Sequence, residues 1–399
     1  MVTLEALNAL AGDCLLLRYP GPDKKERLWI IDGGPKGDVK KKITVWKDVL
    51  IPRLKEISST TPLPVALGMV SHIDDDHING VQKLTSTLVA ARPGQPAAVK
   101  FARFWFNSFE KLVGPKPSGL SGEAATASLQ SLALEALPGA NDEHARLIMQ
   151  SVGQGNDLAA DLGTLNLNGN SPINGFVMAK KGQQKFLIEG AKVTVIGPLE
   201  NRLEALRKEW AKALKMPTKQ ARQAALQALF LPAKSLDKSI PNLSSIVVLV
   251  EIGRRRLLLT GDAHGDDLVK AWKELGLNGT ISAKIDLLKM PHHGSIRNTT
   301  EPFLKFFEAD HYVFSADGKY DNPDASTIEA LVKLHGKRKI VMHFTNADVS
   351  WRTAHTLEKN KVKVCNLDEL LKALRWAYPG QWSANLRKPA DKSVIVEMP

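Results

Sequence analysis

Cysteine is almost absent from this chain. Cys14 and Cys365 are the two present in 399 residues, too few and too isolated for a disulfide framework or a cysteine-rich zinc site. Long apolar runs are missing as well, and none approaches the roughly 18 residues that a membrane span needs. The opening Met1-Val-Thr-Leu-Glu-Ala-Leu7 has neither the basic start nor the apolar core of a cleavable leader. A soluble, cytoplasmic protein without membrane segments is therefore expected. No internal repeat of fixed period is visible, although the strands-then-helix pattern of the first half recurs in the second.

What the chain does have is an excess of positive charge. Lys and Arg number 54 against 42 Asp and Glu, a net charge of +12. Such a balance attracts polyanions, nucleic acid above all, or anionic membrane surfaces; a merely basic surface is the plainer alternative. Hydrophobic residues make up 43%, enough to build the core of one large domain or two ordinary ones.

The most informative stretch is Ser71-His-Ile-Asp-Asp-Asp-His-Ile-Asn-Gly80, which follows the apolar run Val65–Val70. It places two imidazoles and three carboxylates within six residues. Adjacent like charges repel unless something positive sits among them, and a divalent metal is the simplest candidate. Two further polar loops follow apolar strands in the same way: Asp262 after 256–259, and His292-His293 after 285–290. Loops at strand ends are where a rigid sheet can hold ligands in place. Together the three loops supply His72, His77, His292, His293, Asp74, Asp76 and Asp262, enough for two metals at about four to six ligands each.

Around these loops the pattern predicts a hairpin over 14–19 and 28–31, turning at Pro20-Gly-Pro-Asp. It also predicts an amphipathic helix over 44–57, one continuous strand over 65–70, and helices over 121–137 and 141–152. Further on come a strand at 193–196, a mostly helical and basic 198–229, a hairpin over 245–252 and 256–259, a helix over 266–275, a strand over 285–290, and a strand–helix–strand unit over 312–342. Trp105 is expected in a buried strand. His264 is expected at an exposed helix start, and Asp13 and Asp32 as structural acceptors near the site rather than ligands.

The ordered set His72-x-Asp74-x-Asp76-His77, then Asp262, then Pro291-His-His-Gly-Ser295 resembles the metallo-β-lactamase fold superfamily. With Asp74 where the wider family has a second His, it is similar to the branch containing the C-terminal domain of the DNA-uptake channel protein ComEC. Ala11-Gly-Asp-Cys-Leu-Leu-Leu17, Ile30-Ile-Asp-Gly-Gly-Pro35, Asn242-Leu-Ser-Ser, Leu257-Leu-Leu-Thr-Gly-Asp-Ala263 and Phe314–Asp324 match further family motifs. The resemblance covers roughly 1–85 and 190–345. It implies an α/β fold, a four-layer αβ/βα sandwich with helical insertions. The domain would run over 1–345, with an insertion at about 85–190, a basic helical segment at about 198–230, and a C-terminal extension, 346–399, packed on the same domain.

It also implies two divalent ions, Zn²⁺ or Mn²⁺ with Mg²⁺ as a further option. One would be held by His72, Asp74 and a third ligand, the other by Asp76, His77 and a late His, with Asp262 bridging. His293 is favoured as the late ligand because it precedes Gly, leaving His292 to orient a phosphate or support the site. Asp76 and Asp262 would carry catalysis, and Ser295, Lys319 and Asn322 would face substrate. Two departures stand out: the usual third His of the first site is replaced in its neighbourhood by Asn242 or Ser244, and the late His-Pro-His loop reads Asn322-Pro-Asp324.

Exchanging an imidazole for Asp74 hardens the site toward oxygen-loving metals, and a two-metal centre suits phosphodiester cleavage by an activated water. The reading is a metal-dependent hydrolase, a phosphodiesterase or nuclease acting on DNA. The alternatives are a small-molecule phosphodiesterase of the choline-phosphate esterase kind, or a non-catalytic subunit with protein partners in a larger assembly such as a defence system.

Overall fold

The computed structural model describes residues 1–58, 60–92, 97–108, 143–204, 208, 212, 242, 244–279 and 281–399, with 143–152 described by their backbone alone. The expected helix over 121–137 and most of the basic helix over 198–229 lie outside the described residues.

The chain opens with β1 (Val2–Leu7), β2 (Leu15–Pro20) and β3 (Glu26–Ile31); β2 and β3 form the expected antiparallel hairpin. The amphipathic stretch becomes a π-helical turn, Val45–Leu50, continuing into α1 (Ile51–Ile57). The apolar run expected as one strand divides into β4 (Leu63–Val65) and β5 (Leu67–Met69). The break falls where pairing changes: β4 pairs with β6 (Val99–Phe101), whereas β5 lies between β3 and β7 (Phe104–Trp105). Ala66 meanwhile donates its N–H to Leu28. After β5 comes α2 (Asp75–Ala90), and after β7 comes α3 (Glu143–Thr164). Trp105 is fully buried, as a strand residue facing the core should be.

The second half holds β8 (Phe186–Ile188), β9 (Ala191–Gly197), β10 (Val247–Ile252), β11 (Arg255–Leu259), α4 (Gly265–Glu274) and β12 (Ala283–Lys289). Then follow α5 (Glu301–Phe306), β13 (Phe307–Phe314), α6 (Ala325–His335) and β14 (Val341–Phe344). The tail adds β15 (Ser350–Thr356), β16 (Lys363–Asn366), α7 (Leu367–Ala377), β17 (Ser383–Leu386) and β18 (Ser393–Met398).

Two mixed sheets organise these elements into an α/β sandwich. One runs β18-β1-β2-β3-β5-β7; the other runs β17-β14-β13-β12-β11-β10-β9-β8, parallel from β11 to β17. Period-two alternation sorts the side chains into separate cores. Leu4, Ala6, Leu15, Leu17, Trp29 and Ile31 meet Val193, Val195, Val248, Val250 and Leu257 between the sheets. The opposite face of the first sheet, with Leu16, Leu28 and Ile30, packs on Val49, Leu54, Ile78, Val81 and Leu158 of the flanking helices. The opposite face of the second, with Leu249, Leu258, Leu288 and Phe314, packs on Leu268, Trp272, Phe303, Ile328 and Leu370. Each sheet thus has helices on one face and its partner sheet on the other.

The loops expected to carry chemistry leave the carboxyl ends of β5, β11, β12 and β13, the edge where open α/β sheets bind ligands. One contact sets the first loop against the second turn. The Gly33 N–H donates to the carbonyl of His77 at 2.6 Å, and a Cβ on Gly80 would stand 2.1 Å from the Gly33 carbonyl oxygen. Gly80→Ala is expected to push α2 off the Asp32–Gly33 turn and to destabilise the fold by about 1–3 kcal/mol. Denaturant unfolding checks this, and an unchanged midpoint would contradict the packing described.

Candidate metal centre

Asp262 is the hub of a buried polar cluster. Its carboxylate oxygens lie 3.2 Å from His77 Nε2, 3.4 Å from His293 Nε2, 3.6 Å from His292 Nε2 and 3.9 Å from His72 Nε2. Asp76 reaches His293 Nε2 at 3.3 Å, and Asp74 reaches His72 Nε2 at 3.6 Å. Asp74 occupies the N-cap of α2, yet its side chain accepts no capping hydrogen bond. An N-cap aspartate ordinarily turns onto its own helix; this one faces the cluster. His72, His77, Asp262 and His293 are buried, while the side chains of Asp74, Asp76 and His292 are 32%, 27% and 25% exposed. Those three mark the side on which the centre opens to solvent.

The Nδ1 atoms of His72, His77 and His292 have hydrogen-bond partners outside the ring of Nε2 atoms. His77 Nδ1 donates to Asp32 at 2.9 Å. His293 Nδ1 faces Asp13 at 3.3 Å. The Ser71 hydroxyl donates to Asp32 at 2.8 Å, so its oxygen accepts from His72 Nδ1 at 3.0 Å. The Asn298 amide donates to the Asp262 carbonyl, which turns its oxygen toward His292 Nδ1 at 3.0 Å. Protons assigned to satisfy these acceptors leave the Nε2 lone pairs of His72 and His77 directed at the Asp262 carboxylate, while His292 Nδ1 also has the Asn242 amide nitrogen at 3.3 Å. His77 Nε2 and His293 Nε2 even face each other at 3.3 Å. Bare nitrogens at that distance repel, so a proton or a cation must lie between them. Among the described residues, His72 Nε2, His293 Nδ1, both Asp13 carboxylate oxygens and one Asp262 oxygen are buried without a hydrogen-bond partner. Neutral imidazoles whose far nitrogen is fixed by a carboxylate or carbonyl are the usual form of metal-binding histidine, and the donor set fits a divalent ion. One donor atom each from Asp13, His77, Asp262 and His293 falls within 4.8 Å of the others, so this buried cluster can hold a metal ion.

Without metal, protons take that place. Burial works against the imidazolium of His77, but Asp262, Asp32 and Asp76 outweigh it and hold its pKa well above the ordinary value. Burial likewise opposes charge on His293, and Asp262 and Asp13 overcome it. Burial would raise the Asp262 carboxyl, yet the imidazoles of His293, His77 and His292 hold it well below the usual carboxylate range. A metal must therefore displace protons. Because the histidine pKa values are raised, affinity climbs with pH until those pKa values are passed. The climb is about tenfold per pH unit for each proton released. Calorimetric titration with Mn²⁺ in buffers of differing ionisation enthalpy should count one to two protons released per chain near neutral pH. Zero release would contradict the arrangement.

Ser295 is buried; its N–H donates to the His292 carbonyl and its Oγ accepts from the Arg297 N–H. Lys319 and Asn322 lie in the turn over 317–324, which Asp324 ties to the His-His loop through Gly294 and Ile296. Asp32 accepts from Ser71 and His77. His264 does start a helix, but it is 7% exposed rather than solvent-facing, because α4 docks at its first residue: the Gly265 N–H donates to the Asn298 carbonyl. The side chain of His144 lies outside those described.

Sequence reasoning missed Lys289. It is 1% exposed, ion-paired with Asp13 and 3.9 Å from Asp262. Burial would raise the Asp13 carboxyl, and Lys289 with His293 instead holds it well below the usual range. The signal was present: a lysine inside the apolar Ile285-Asp-Leu-Leu-Lys-Met290, one step before the His-His loop.

No family model matches the chain. ComE operon protein 3 of Bacillus subtilis (strain 168) is 31% identical over 108 residues, which is 27% of this chain. The match spans 13% of that relative's length. No helix among the described residues is long and apolar enough to cross a membrane. The buried Asp–His cluster and this partial likeness together suggest, at the coarsest level, a metal-dependent hydrolase.

Proposed function

We propose that this chain is a metallo-β-lactamase-fold phosphodiesterase that cleaves nucleic acid, DNA foremost, at a two-metal centre. The observation that carries the reading is the convergence of four imidazole Nε2 atoms on Asp262, three of them on rings whose Nδ1 is hydrogen-bonded from behind. Support for the fold comes from the helix, sheet, sheet, helix order of its cores. Tail strands β17 and β18 join opposite sheets, which favours treating 346–399 as part of the same domain. The ComEC-like motifs and the similarity to ComE operon protein 3 point the same way.

The donors divide into two sets that share Asp262. Asp76, His77 and His293 would hold one ion. His72, Asp74 and His292 would hold the other, with His292 in place of the histidine that the sequence lacks near Asn242. Asp13 lies behind His293, on its Nδ1 side, and serves to orient that ring. Divalent ions held there would lower the pKa of a bound water and neutralise charge on a phosphodiester. Asp262 would hold the two sets in register, and the half-exposed Asp74, Asp76 and His292 would border the substrate.

His292 (φ 45°) and His293 (φ 57°) both sit in the left-handed region, followed by Gly294 at φ 90°. Consecutive non-glycine residues there are strained, and such strain collects at functional sites. His292→Gly should keep or slightly raise metal-free stability while weakening the binding of one of two metals by at least about tenfold. A variant that binds both metals as the parent does would remove His292 from the ligand set.

Incubation with bis-p-nitrophenyl phosphate, single- and double-stranded DNA and RNA, each with Mn²⁺, Mg²⁺ or Zn²⁺, tests the activity. Metal-dependent diester cleavage is expected. Protein that binds metal yet turns over none of these substrates would refute the reading.

A further inference from the structure

The centre opens beside Asp74 and Asp76, whose carboxylates are partly exposed and repel a polyanion. An extended phosphate chain can approach only if cations frame that mouth. The structure provides them on a hairpin that the catalytic reading leaves unused. Residues 36–42 read Lys-Gly-Asp-Val-Lys-Lys-Lys, and all four lysines are at least partly exposed.

This hairpin is a built element. Asp38 and Ile43 exchange backbone hydrogen bonds at 2.8 and 3.1 Å. The Asp38 carboxylate accepts from the Lys41 N–H at 2.9 Å, which turns it back onto the hairpin's own backbone. Lys41 Nζ pairs at 2.7 Å with Asp317, whose side chain is 5% exposed, and this clips the hairpin to the 317–324 turn. At its root, the Gly34 N–H donates to the Asp13 carbonyl and the Lys36 N–H bonds Asp75. Both supports of the rim thus spring from the metal-site loops. Lys36, Lys40 and Lys42 project from it, and Val39 at its tip is 95% exposed. On the facing turn, Lys319 Nζ lies 5.0 Å from the ring centre of Tyr320, which is 46% exposed. Lysines beside an exposed aromatic ring match what an unpaired strand offers, repeated phosphates and free base faces.

We propose that the Lys36–Lys42 hairpin and the Lys319–Tyr320 turn form a docking rim for the backbone of single-stranded nucleic acid entering the metal centre. A compact diester would not extend to it. The inference rests on the phosphodiesterase reading, yet it is tested by binding rather than turnover.

The probe is a fluorescent 20-nucleotide DNA strand, with an RNA strand and a DNA duplex as further arms, titrated by anisotropy across a range of salt. The K36A/K40A/K42A variant should lose at least about tenfold in affinity at low salt. Its slope of log K against log[salt] should become shallower by about 0.7 for each phosphate that is no longer neutralised. Y320A should weaken strand binding about fivefold or more. K284A/K337A/K339A removes the same charge from the opposite ends of the strands and should change the slope little. K40E alone, at a solvent-exposed turn, covers the case in which the triple variant folds poorly, and metal content on the same samples reports whether the centre is intact. An unchanged slope in the rim variants, an equal loss in the remote control, or preference for duplex would overturn the proposal. So would binding to 7:3 phosphatidylcholine–phosphatidylglycerol vesicles in place of DNA. Rim-dependent strand binding without diester cleavage would sink the enzymatic reading and leave the rim standing; cleavage without rim dependence would do the reverse.

Discussion

Asp262→Asn should abolish the proposed diester cleavage while leaving the fold intact. The side chain lies within 4 Å of four imidazoles and of Lys289, more partners than any other carboxylate among the described residues has in this cluster. An amide of the same shape removes one negative charge and can turn an N–H donor toward Nε2 atoms that need a cation. The backbone there stays anchored, because the Asp262 N–H donates to Ser245 Oγ and its carbonyl accepts from Asn298. Metal affinity should fall by at least two orders of magnitude. Diester turnover should fall by about three orders or more, equivalent to roughly 4 kcal/mol of lost transition-state stabilisation. Steady-state kinetics with bis-p-nitrophenyl phosphate at saturating Mn²⁺ reads this directly. Turnover within tenfold of the parent would mean that Asp262 does not hold the centre together.

Lys289→Met should cost the fold about 3–5 kcal/mol. Lys289 and Asp13 are each 1% exposed and lie against one another. Removing the ammonium leaves a buried carboxylate with the imidazoles of His293, at 3.3 Å, and His77, at 3.8 Å, as its remaining close cationic neighbours. The same two residues explain why the loss should be recoverable. Asp13→Asn in the K289M background discharges the stranded carboxylate, so the double variant should be more stable than K289M alone. Denaturant unfolding of the parent, both single variants and the double variant completes the cycle. If K289M cost less than about 1 kcal/mol, or the double variant were less stable than K289M, this buried pair would not stabilise the structure as described.

The parts of this centre that were legible in the sequence are those that act locally. His72, Asp74, Asp76 and His77 lie within one loop and the first turn of a helix, and Asp262 and the His292-His293 pair each directly follow an apolar strand. A strand that ends in ligand-type side chains is visible without knowing its neighbours. Lys289 and Asp13 stand far apart in the chain, and only the packing of one sheet on the other brings them together. The orientation of the His292 ring was hidden for the same reason, since it depends on Asn298 turning its amide oxygen toward the ring. Strand boundaries were hidden where pairing changes: 65–70 looks uniform in hydropathy, but Val65 and Leu67 belong to strands with different partners. The tail carries no chemical motif. The alternation of Ser393-Val-Ile-Val-Glu-Met398 is readable as a strand, whereas its place beside β1 is not.

The most direct test is the metal stoichiometry of the purified chain after equilibration with Mn²⁺ or Zn²⁺ and removal of free ion. The arrangement of His72, Asp74, Asp76, His77, Asp262, His292 and His293 predicts about two ions per chain, with the content reduced in Asp262→Asn. Fewer than about one ion per chain, or a content unchanged by that substitution, would contradict it.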